Sequence, residues 1–341
     1  MPASLPIADF LTKARHLTVI DVRSPAEFAQ GRIPGAVNIP LFSNEERAQI
    51  GTLYKQVSQE EAFLAGLDLV GPKMAQFVRQ SKPLAQNQEI LVHCWRGGMR
   101  SGSFGWLLET AGMKVSTLSG GYKAFRTQVL EGLTIPKKLV VLGGKTGSGK
   151  TEILHQLRAQ GEQILDLEAL AHHKGSSYGA IGQEPQPSTE QFENEVFAEW
   201  NVLDASRRIW IEDESRKVGR CLIPQSLWNQ MQQAPVVMIQ SDKQQRIERL
   251  VREYACYDKA LLVEATRRIG KRLGGQHVKA ALEALDQNDF ATVADITLNY
   301  YDKAYLHGLE DRTLAGTLSP EHDDARLTAQ QLCQWADHQD I

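Results

Sequence analysis

The sequence predicts an α/β protein of two domains, the first built on a mainly parallel sheet. Two observations carry that expectation. The apolar run Glu89-Ile90-Leu91-Val92 empties into a short glycine-bearing loop, His93 to Ser101, and is followed by a helical run with Phe104, Trp106, Leu107 and Leu108, the pattern of a buried strand, a tight loop and a helix start. Leu139-Val140-Val141-Leu142 does the same through Gly143 to Thr151, ahead of Ile153, Leu154 and Leu157. Between them, Gly132 to Lys138 is polar and contains Pro136, the composition of a domain boundary. The division is therefore 1–133 and 134–341, and 341 residues suffice for two separate cores.

The composition, 42% hydrophobic and 23% charged, is that of a globular protein in water. No apolar run approaches the length that spans a bilayer, and the first residues lack a basic region followed by an apolar stretch and a cleavage site. A cytoplasmic location without a membrane partner is expected. The four cysteines, Cys94, Cys221, Cys256 and Cys333, are scattered without C-x-x-C spacing, which argues against a zinc site and a disulfide framework and for a reducing compartment. A net charge of −3 does not announce a nucleic-acid binder, so that class must rest on local clustering.

In the first half, Leu17-Thr18-Val19-Ile20 reads as a strand. Ser24, Pro25 and Glu27 then have the spacing of a capping box with proline at the first helical position. A turn and a brief strand follow from Gly31 to Pro40. Taken singly, Asp21 and Arg23 read as a solvated or locally paired set. At Cys94 the chemistry sharpens: curled backbone N–H groups and a helix N-terminus favour an anion, Arg96 and Arg100 add cations, and Gly97 and Gly98 permit a tight cradle. Surroundings of this kind favour a reactive thiolate, a nucleophile or a carrier of a chalcogen atom. The alternative is an inert buried cysteine at a strand end, which would not need two arginines and two glycines beside it.

The order of strand, Asp21-Val22-Arg23-Ser24 with Glu27-Phe28, Gly31-Arg32-Ile33-Pro34-Gly35-Ala36-Val37-Asn38-Ile39-Pro40, strand and Cys94 loop resembles the rhodanese family, with Leu118-Ser119-Gly120-Gly121-Tyr122 as its closing segment. The resemblance covers roughly residues 5 to 131 and implies a mainly parallel sheet whose cysteine carries a persulfide or perselenide. The segment from Ser43 to about Ser81 is longer than a compact rhodanese needs; it is expected to form helices over the active-site face and to influence partner choice.

In the second half, Gly144-Lys145-Thr146-Gly147-Ser148-Gly149-Lys150-Thr151 satisfies G-x-x-x-x-G-K-[ST] between a strand and a helix. This P-loop NTPase-like arrangement wraps a diphosphate in backbone N–H groups, with Lys150 on its oxygens and Thr151 on Mg²⁺. The motif leaves the rest of the ligand open, a nucleotide or another diphosphate ester. Arg208-Ile209-Trp210-Ile211 reads as a second buried strand ending in Glu212 and Asp213, either of which is placed to hold the Mg²⁺ water shell, unless the turn is merely solvated; Thr151 and Asp213 are taken as the metal pair.

The Gly- and Pro-punctuated stretch from Ala171 to Thr189 is long enough for a lid or binding loop. His172 and His173 within it read as loop packing or as acid/base groups. A helix from about Glu190 puts Phe192, Val196, Phe197 and Trp200 on one face. From Lys243 to Lys279 the sequence is helical and basic, ten Lys and Arg against four Asp and Glu. Arg246, Arg249 and Arg252 fall on one helix stripe, Arg267, Arg268, Lys271 and Arg272 follow, and Tyr254 and Tyr257 interleave rings able to stack on unpaired bases. An RNA surface and a solvated face with internal ion pairs are the two readings. The stretch from His322 to Ile341 reads as a terminal packing helix with Leu327, Leu332 and Trp335 inward.

With Cys94-Trp95-Arg96-Gly97-Gly98-Met99-Arg100-Ser101, Gly143 to Thr151 and Gln191-Phe192-Glu193-Asn194 in one chain, the whole sequence resembles the tRNA 2-selenouridine synthase family. That resemblance implies a tRNA-modifying transferase that replaces the sulfur of wobble-position 2-thiouridine with selenium from selenophosphate, by way of S-geranylation from geranyl diphosphate. Selenophosphate and geranyl diphosphate would be substrates, Mg²⁺ the metal, and no tightly bound organic cofactor is expected. The partners would be tRNA and a selenophosphate-producing enzyme, with the oligomeric state left open. By this resemblance the P-loop domain, with its basic helical C-terminal part, holds the prenyl diphosphate and Cys94 receives or relays selenium. A nucleotide-gated sulfurtransferase passing persulfide sulfur to a protein or RNA acceptor is the alternative; a small-molecule phosphotransferase is a third reading that gives Cys94 no task.

Overall fold

Parallel strands covered on both faces read as unbroken apolar runs, and two such runs lie at the centres of the two sheets in the computed structural model, which describes residues 2–309, 312–320 and 323–339. The chain divides after Gly132 into two compact units.

In the first unit β1 (Ala3–Leu5), β2 (Val19–Asp21), β3 (Val37–Asn38), β4 (Glu89–His93) and β5 (Lys114–Leu118) form one sheet in the order β1-β5-β4-β2-β3, with every neighbouring pair parallel. Helices α1 (Ile7–Ala14), α2 (Pro25–Gln30), α3 (Asn44–Gln56), α4 (Gln59–Val70), α5 (Met74–Ser81), α6 (Met99–Thr110) and α7 (Gly121–Gly132) connect and cover it. Ile90, Leu91 and Val92 of central β4 are fully buried. The chain leaves β4 toward β5 and leaves β2 toward β3, on opposite sides, so the carboxyl ends of β4 and β2 are the point at which open α/β sheets place their ligand sites. The capping box at α2 is formed: Ser24 N–H donates to Glu27 Oε2 at 3.0 Å and Glu27 N–H to Ser24 Oγ. The segment from Ser43 to Ser81 is helical, as α3, α4 and α5. It starts on a second capping box, Ser43 with Glu46, and packs Phe77 of α5 against Phe104 of α6 with ring centroids 5.3 Å apart.

In the second unit β6 (Leu139–Gly144), β7 (Gln163–Leu165), β8 (Ile209–Glu212), β11 (Val236–Ile239) and β12 (Leu314–Leu318) form a parallel sheet in the order β12-β11-β6-β8-β7, while β9 (Lys217–Val218) and β10 (Cys221–Leu222) make a small antiparallel pair. The helices are α8 (Lys150–Ala159), α9 (Leu167–Ala171), α10 (Thr189–Val202), α11 (Gln225–Gln233), α12 (Lys243–Tyr254), α13 (Lys259–Arg268), α14 (Gly270–Leu273), α15 (Gly275–Asp286), α16 (Phe290–Gly308) and α17 (Ala325–His338). Phe192, Val196, Phe197 and Trp200 of α10 are all buried, as their spacing implied. In α17, Leu332 is buried and Trp335 packs on the sheet core with α8, but Leu327 points to solvent; His322 and Ile341 lie outside the described residues. The helices α13 to α16 build a separate apolar cluster around Leu262, Ile269, Leu285 and Val293. Among the described residues no helix is long and apolar enough to cross a membrane.

Candidate functional site

Cys94 follows the last residue of β4, at the carboxyl edge of its sheet, and the loop behind it is clamped from two sides. Tyr122 N–H donates to Cys94 O at 2.8 Å and Lys123 N–H to Trp95 O at 3.0 Å, so the start of α7 fixes the loop's first turn. Gly121 makes that approach possible. Its φ is +61°, and a Cβ there would collide with Cys94 O and Gly97 N. Cys94 Sγ lies 3.2 Å from Ser101 Oγ, whose hydroxyl also reaches Gly98 O at 3.2 Å. The twelve-residue α6 directs its N-terminus at the same loop, adding partial positive charge.

The two arginines have different tasks. Arg96 is exposed and has no ion-pair partner among the described residues, whereas Arg100 Nη1 donates to Glu27 Oε2 at 3.0 Å. Its charge is answered by a carboxylate, which corrects the expectation of two cations facing the thiol. Glu27 is held below the usual carboxylate range: burial alone would raise it, but Arg100, the Ser24 N–H and Arg47 together outweigh that effect.

Asp21 and Arg23 are fully buried, not a solvated pair. Arg23 Nη2 bonds Asp21 Oδ2 and Gly31 O, both at 2.6 Å, and its guanidinium lies 3.7 Å from the centroid of the Tyr122 ring. Such a pair persists in the interior only because its hydrogen bonds and ring contact replace lost water. His93, next to Cys94, is held neutral chiefly by its own burial.

In the second unit the glycine loop leaves central β6. Gly147 and Gly149 have φ of +79° and +82°, angles that curl the backbone into a cradle, and α8 begins at Lys150 with its first amides unpaired within the helix. Lys150 Nζ folds back to Gly144 O at 2.8 Å, and Thr151 Oγ1 donates to Glu168 Oε2 at 3.0 Å. The cradle opens into a cavity of about 1100 Å³ that also meets Lys174, Arg216, Tyr254, Tyr300, Tyr301 and Tyr305. A space of that size holds a drug-sized ligand and part of a second molecule.

The metal assignment changes. Asp213 is engaged on both oxygens: Tyr305 OH donates to Oδ2 at 2.8 Å and Arg312 to Oδ1 at 3.1 Å, while Gly144 N–H donates to the same tyrosine oxygen at 2.8 Å. It therefore ties α16 and the segment before β12 to the end of β8, and both its oxygens are occupied. Glu212 is the residue with capacity: it is fully buried and neither carboxylate oxygen has a hydrogen-bond partner. Its carboxyl is pushed well above the usual range by burial and by Glu168, Asp166 and Glu214; Glu214 is raised well and Glu168 also raised, in both cases first by burial. Among the described residues no three acidic, His or Cys side chains form a metal cage by themselves. The donor set fits Mg²⁺ of the kind that binds through a phosphate, waters and one or two side chains, here Thr151 and Glu212.

The basic stripe of α12 is also corrected. Arg246 and Arg249 are buried. Arg246 makes a two-pronged pair with Asp302 at 2.8 and 2.7 Å and donates to Thr146 O at 3.1 Å, while Arg249 donates to Gly147 O at 2.8 Å and pairs with Asp323. These side chains brace the glycine loop and offer no open surface to RNA. Tyr254 and Tyr257 pack on one another and on Tyr178, so they are not free stacking platforms. Arg252, Arg267, Arg268, Lys271 and Arg272 remain exposed. His172 Nδ1 lies 3.0 Å from Pro185 O and His173 is buried, both packing their loop.

Several participants carried no local signal. Tyr305, Arg312 and Asp302 act on segments far from them in sequence; only Glu168, in Asp166-Leu167-Glu168 after β7, stood where a strand-end carboxylate could have been suspected.

Comparison with known proteins agrees with both halves. Residues 8–128 match the rhodanese-like domain model, and residues 137–334 match the tRNA 2-selenouridine synthase AAA domain model. Proteins named tRNA 2-selenouridine synthase from Shewanella denitrificans (34% identical, 91% of this chain and 92% of the relative), Pseudomonas putida strain GB-1 (35%, 85% and 87%) and Bordetella bronchiseptica (34%, 90% and 92%) align along both units. With a rhodanese-like unit, a glycine cradle on a parallel sheet and relatives matched over 85–91% of its length, this chain belongs to the tRNA 2-selenouridine synthase family.

Proposed function

We propose that the protein exchanges the sulfur of wobble-position 2-thiouridine in tRNA for selenium, in two transfers. The observation that carries this reading is the cavity of the second unit, where Gly144 to Thr151 and Lys150 meet a wall of Tyr254, Tyr300 and Tyr301. A diphosphate ester with an apolar remainder suits such a space. In the first transfer the thiocarbonyl sulfur attacks C1 of geranyl diphosphate, the C1–O bond breaks, its electron pair leaves with diphosphate, and the N3 proton passes to water. Lys150 and the amides at the start of α8 hold the departing oxygens, which matters because charge develops there as the bond breaks. Mg²⁺ on Thr151 and the Glu212 side would neutralise further diphosphate charge.

In the second transfer selenium of selenophosphate attacks C2, the S-geranyl group departs as a thiolate that takes a proton, and water cleaves the Se–P bond to leave phosphate and 2-selenouridine. No electron donor is needed. The Cys94 loop, with the α6 N-terminus and Arg96, is the anion site that receives the selenium donor. A perselenide on Cys94 would need a second thiol to release its selenium, so in this route Cys94 orients the donor. The exposed Arg252, Arg267, Arg268, Lys271 and Arg272 supply phosphate contacts for tRNA.

Mass spectrometry of nucleosides from thiolated tRNA tests the scheme. Geranyl diphosphate alone should yield the S-geranyl nucleoside, and later selenophosphate the 2-selenouridine. Lys150→Ala should lose the first product and Cys94→Ser only the second. Selenium incorporation that requires ATP hydrolysis and no prenyl donor would refute it.

A further inference from the structure

Beside the glycine cradle lies a second, smaller space of about 50 Å³. Thr146, Ser176, Leu250, Tyr254 and Tyr301 line both it and the large cavity. Leu250 is the hinge between them: its Cγ would stand 3.2 Å from a Cβ added to Gly147, so the side chain lies directly on the loop. Among the described residues no charged side chain lines the slot. Three of the hydroxyls at its wall, those of Tyr178, Tyr301 and Thr297, are engaged within the protein. Tyr178 OH and Thr266 Oγ1 are 2.7 Å apart, Ser177 N–H donates to Tyr301 OH at 3.0 Å, and Thr297 Oγ1 donates to Val293 O at 2.9 Å. What faces the slot is mostly hydrocarbon and ring surface, which rewards an apolar guest over a nucleobase with its several donors and acceptors.

We infer that this slot takes the distal five-carbon unit of a prenyl diphosphate and thereby sets the chain length the enzyme accepts; the inference rests on the functional reading above. Size supports one branched unit. A water needs roughly 10–15 Å³ by the same kind of measure, so 50 Å³ accommodates a handful of carbon atoms. The diphosphate sits in the cradle, the first unit crosses the large cavity with C1 open to the incoming sulfur, and the second enters beside Leu250. Val293 and Ala294 of α16 and, at the start of the same helix, Phe290 line the slot.

Isothermal titration of the full-length protein with inorganic diphosphate and with dimethylallyl, geranyl and farnesyl diphosphates tests this. The wild type should prefer geranyl over dimethylallyl diphosphate by tenfold or more, on the order of what five partly buried carbons supply. Ala294→Leu should bring that ratio close to one while inorganic diphosphate binds as before, which also shows the variant is folded. Phe290→Ala should move the preference toward farnesyl diphosphate. If geranyl diphosphate binds the wild type well and alkylates tRNA but neither variant changes the chain-length ratio, the slot assignment is wrong and the functional reading survives. If no prenyl diphosphate binds better than inorganic diphosphate, the functional reading fails and the slot with it.

Discussion

Arg249 lays its guanidinium over Gly149: a Cβ on that glycine would meet Arg249 Cζ at 2.7 Å and Nη1 at 2.8 Å. A side chain whose place in the sequence suggested RNA instead packs on the glycine cradle. Arg249→Ala should lower stability by about 1–3 kcal/mol, since Gly147 O and Asp323 lose their donor, and weaken inorganic diphosphate binding, while tRNA affinity changes less than twofold. The triple change Arg267→Ala, Arg268→Ala and Lys271→Ala should do the reverse, reducing the slope of log affinity against log salt by roughly 2–3. Filter binding over a salt series, beside thermal melts, separates the two. Equal slopes for wild type and the triple variant would remove these residues from the RNA surface.

Gly121 and Gly98 give a paired test of the cysteine loop. Alanine at Gly121 must take φ near +61° and strike the backbone of Cys94 and Gly97, a combined cost of about 3–5 kcal/mol. Alanine at Gly98 meets nothing within 4 Å and should change stability by less than about 1 kcal/mol. Denaturant unfolding of the two variants reads the difference; similar midpoints would mean the loop is not held by α7 as described.

The contact between Ser101 and Cys94 predicts reactivity. Ser101→Ala removes the hydroxyl 3.2 Å from Sγ, and a hydrogen bond to a charged group contributes about 1.5–3 kcal/mol. Capture of Cys94 by a small thiosulfonate reagent at neutral pH, followed by peptide mass spectrometry, should slow by about tenfold or more. An unchanged rate would assign the hydroxyl to Gly98 O alone.

Glu27 sets a pH dependence at the same loop. Its folded-state value lies below the ordinary 4.5, so it contributes stability above the unfolded value, and that contribution is lost as pH falls through the folded one. Glu27→Gln keeps the cap on α2 and removes the charge facing Arg100. With solvent screening the variant should lose about 0.5–1 kcal/mol near pH 7 and converge with the wild type as the pH falls below the lowered folded-state value. Parallel melting curves across that range would show that the ion pair contributes nothing.

The parts readable in sequence are those whose physics is local. The capping boxes at Ser24 and Ser43 close within three residues, and the glycine loop with Lys150 and Thr151 is a contiguous run between a strand and a helix. The stripe of Arg246 and Arg249 was visible too, because helical spacing puts the pair on one face. Spacing says nothing of what that face meets. Asp302, 56 residues from Arg246, and the carbonyls of Thr146 and Gly147 turned it inward.

By itself, then, the sequence determined the two α/β halves, the tight loop that carries Cys94 and the glycine cradle, since backbone conformation and short-range hydrogen bonds specify them. Tertiary structure alone decided that Asp213 serves Tyr305 and Arg312 while Glu212 stays unpaired, that Asp21 and Arg23 are fully buried, and that an apolar slot adjoins the cradle. The reason is physical: a charge or an apolar wall acquires its role from whatever packs against it, and those neighbours come from strands and helices far away in the chain.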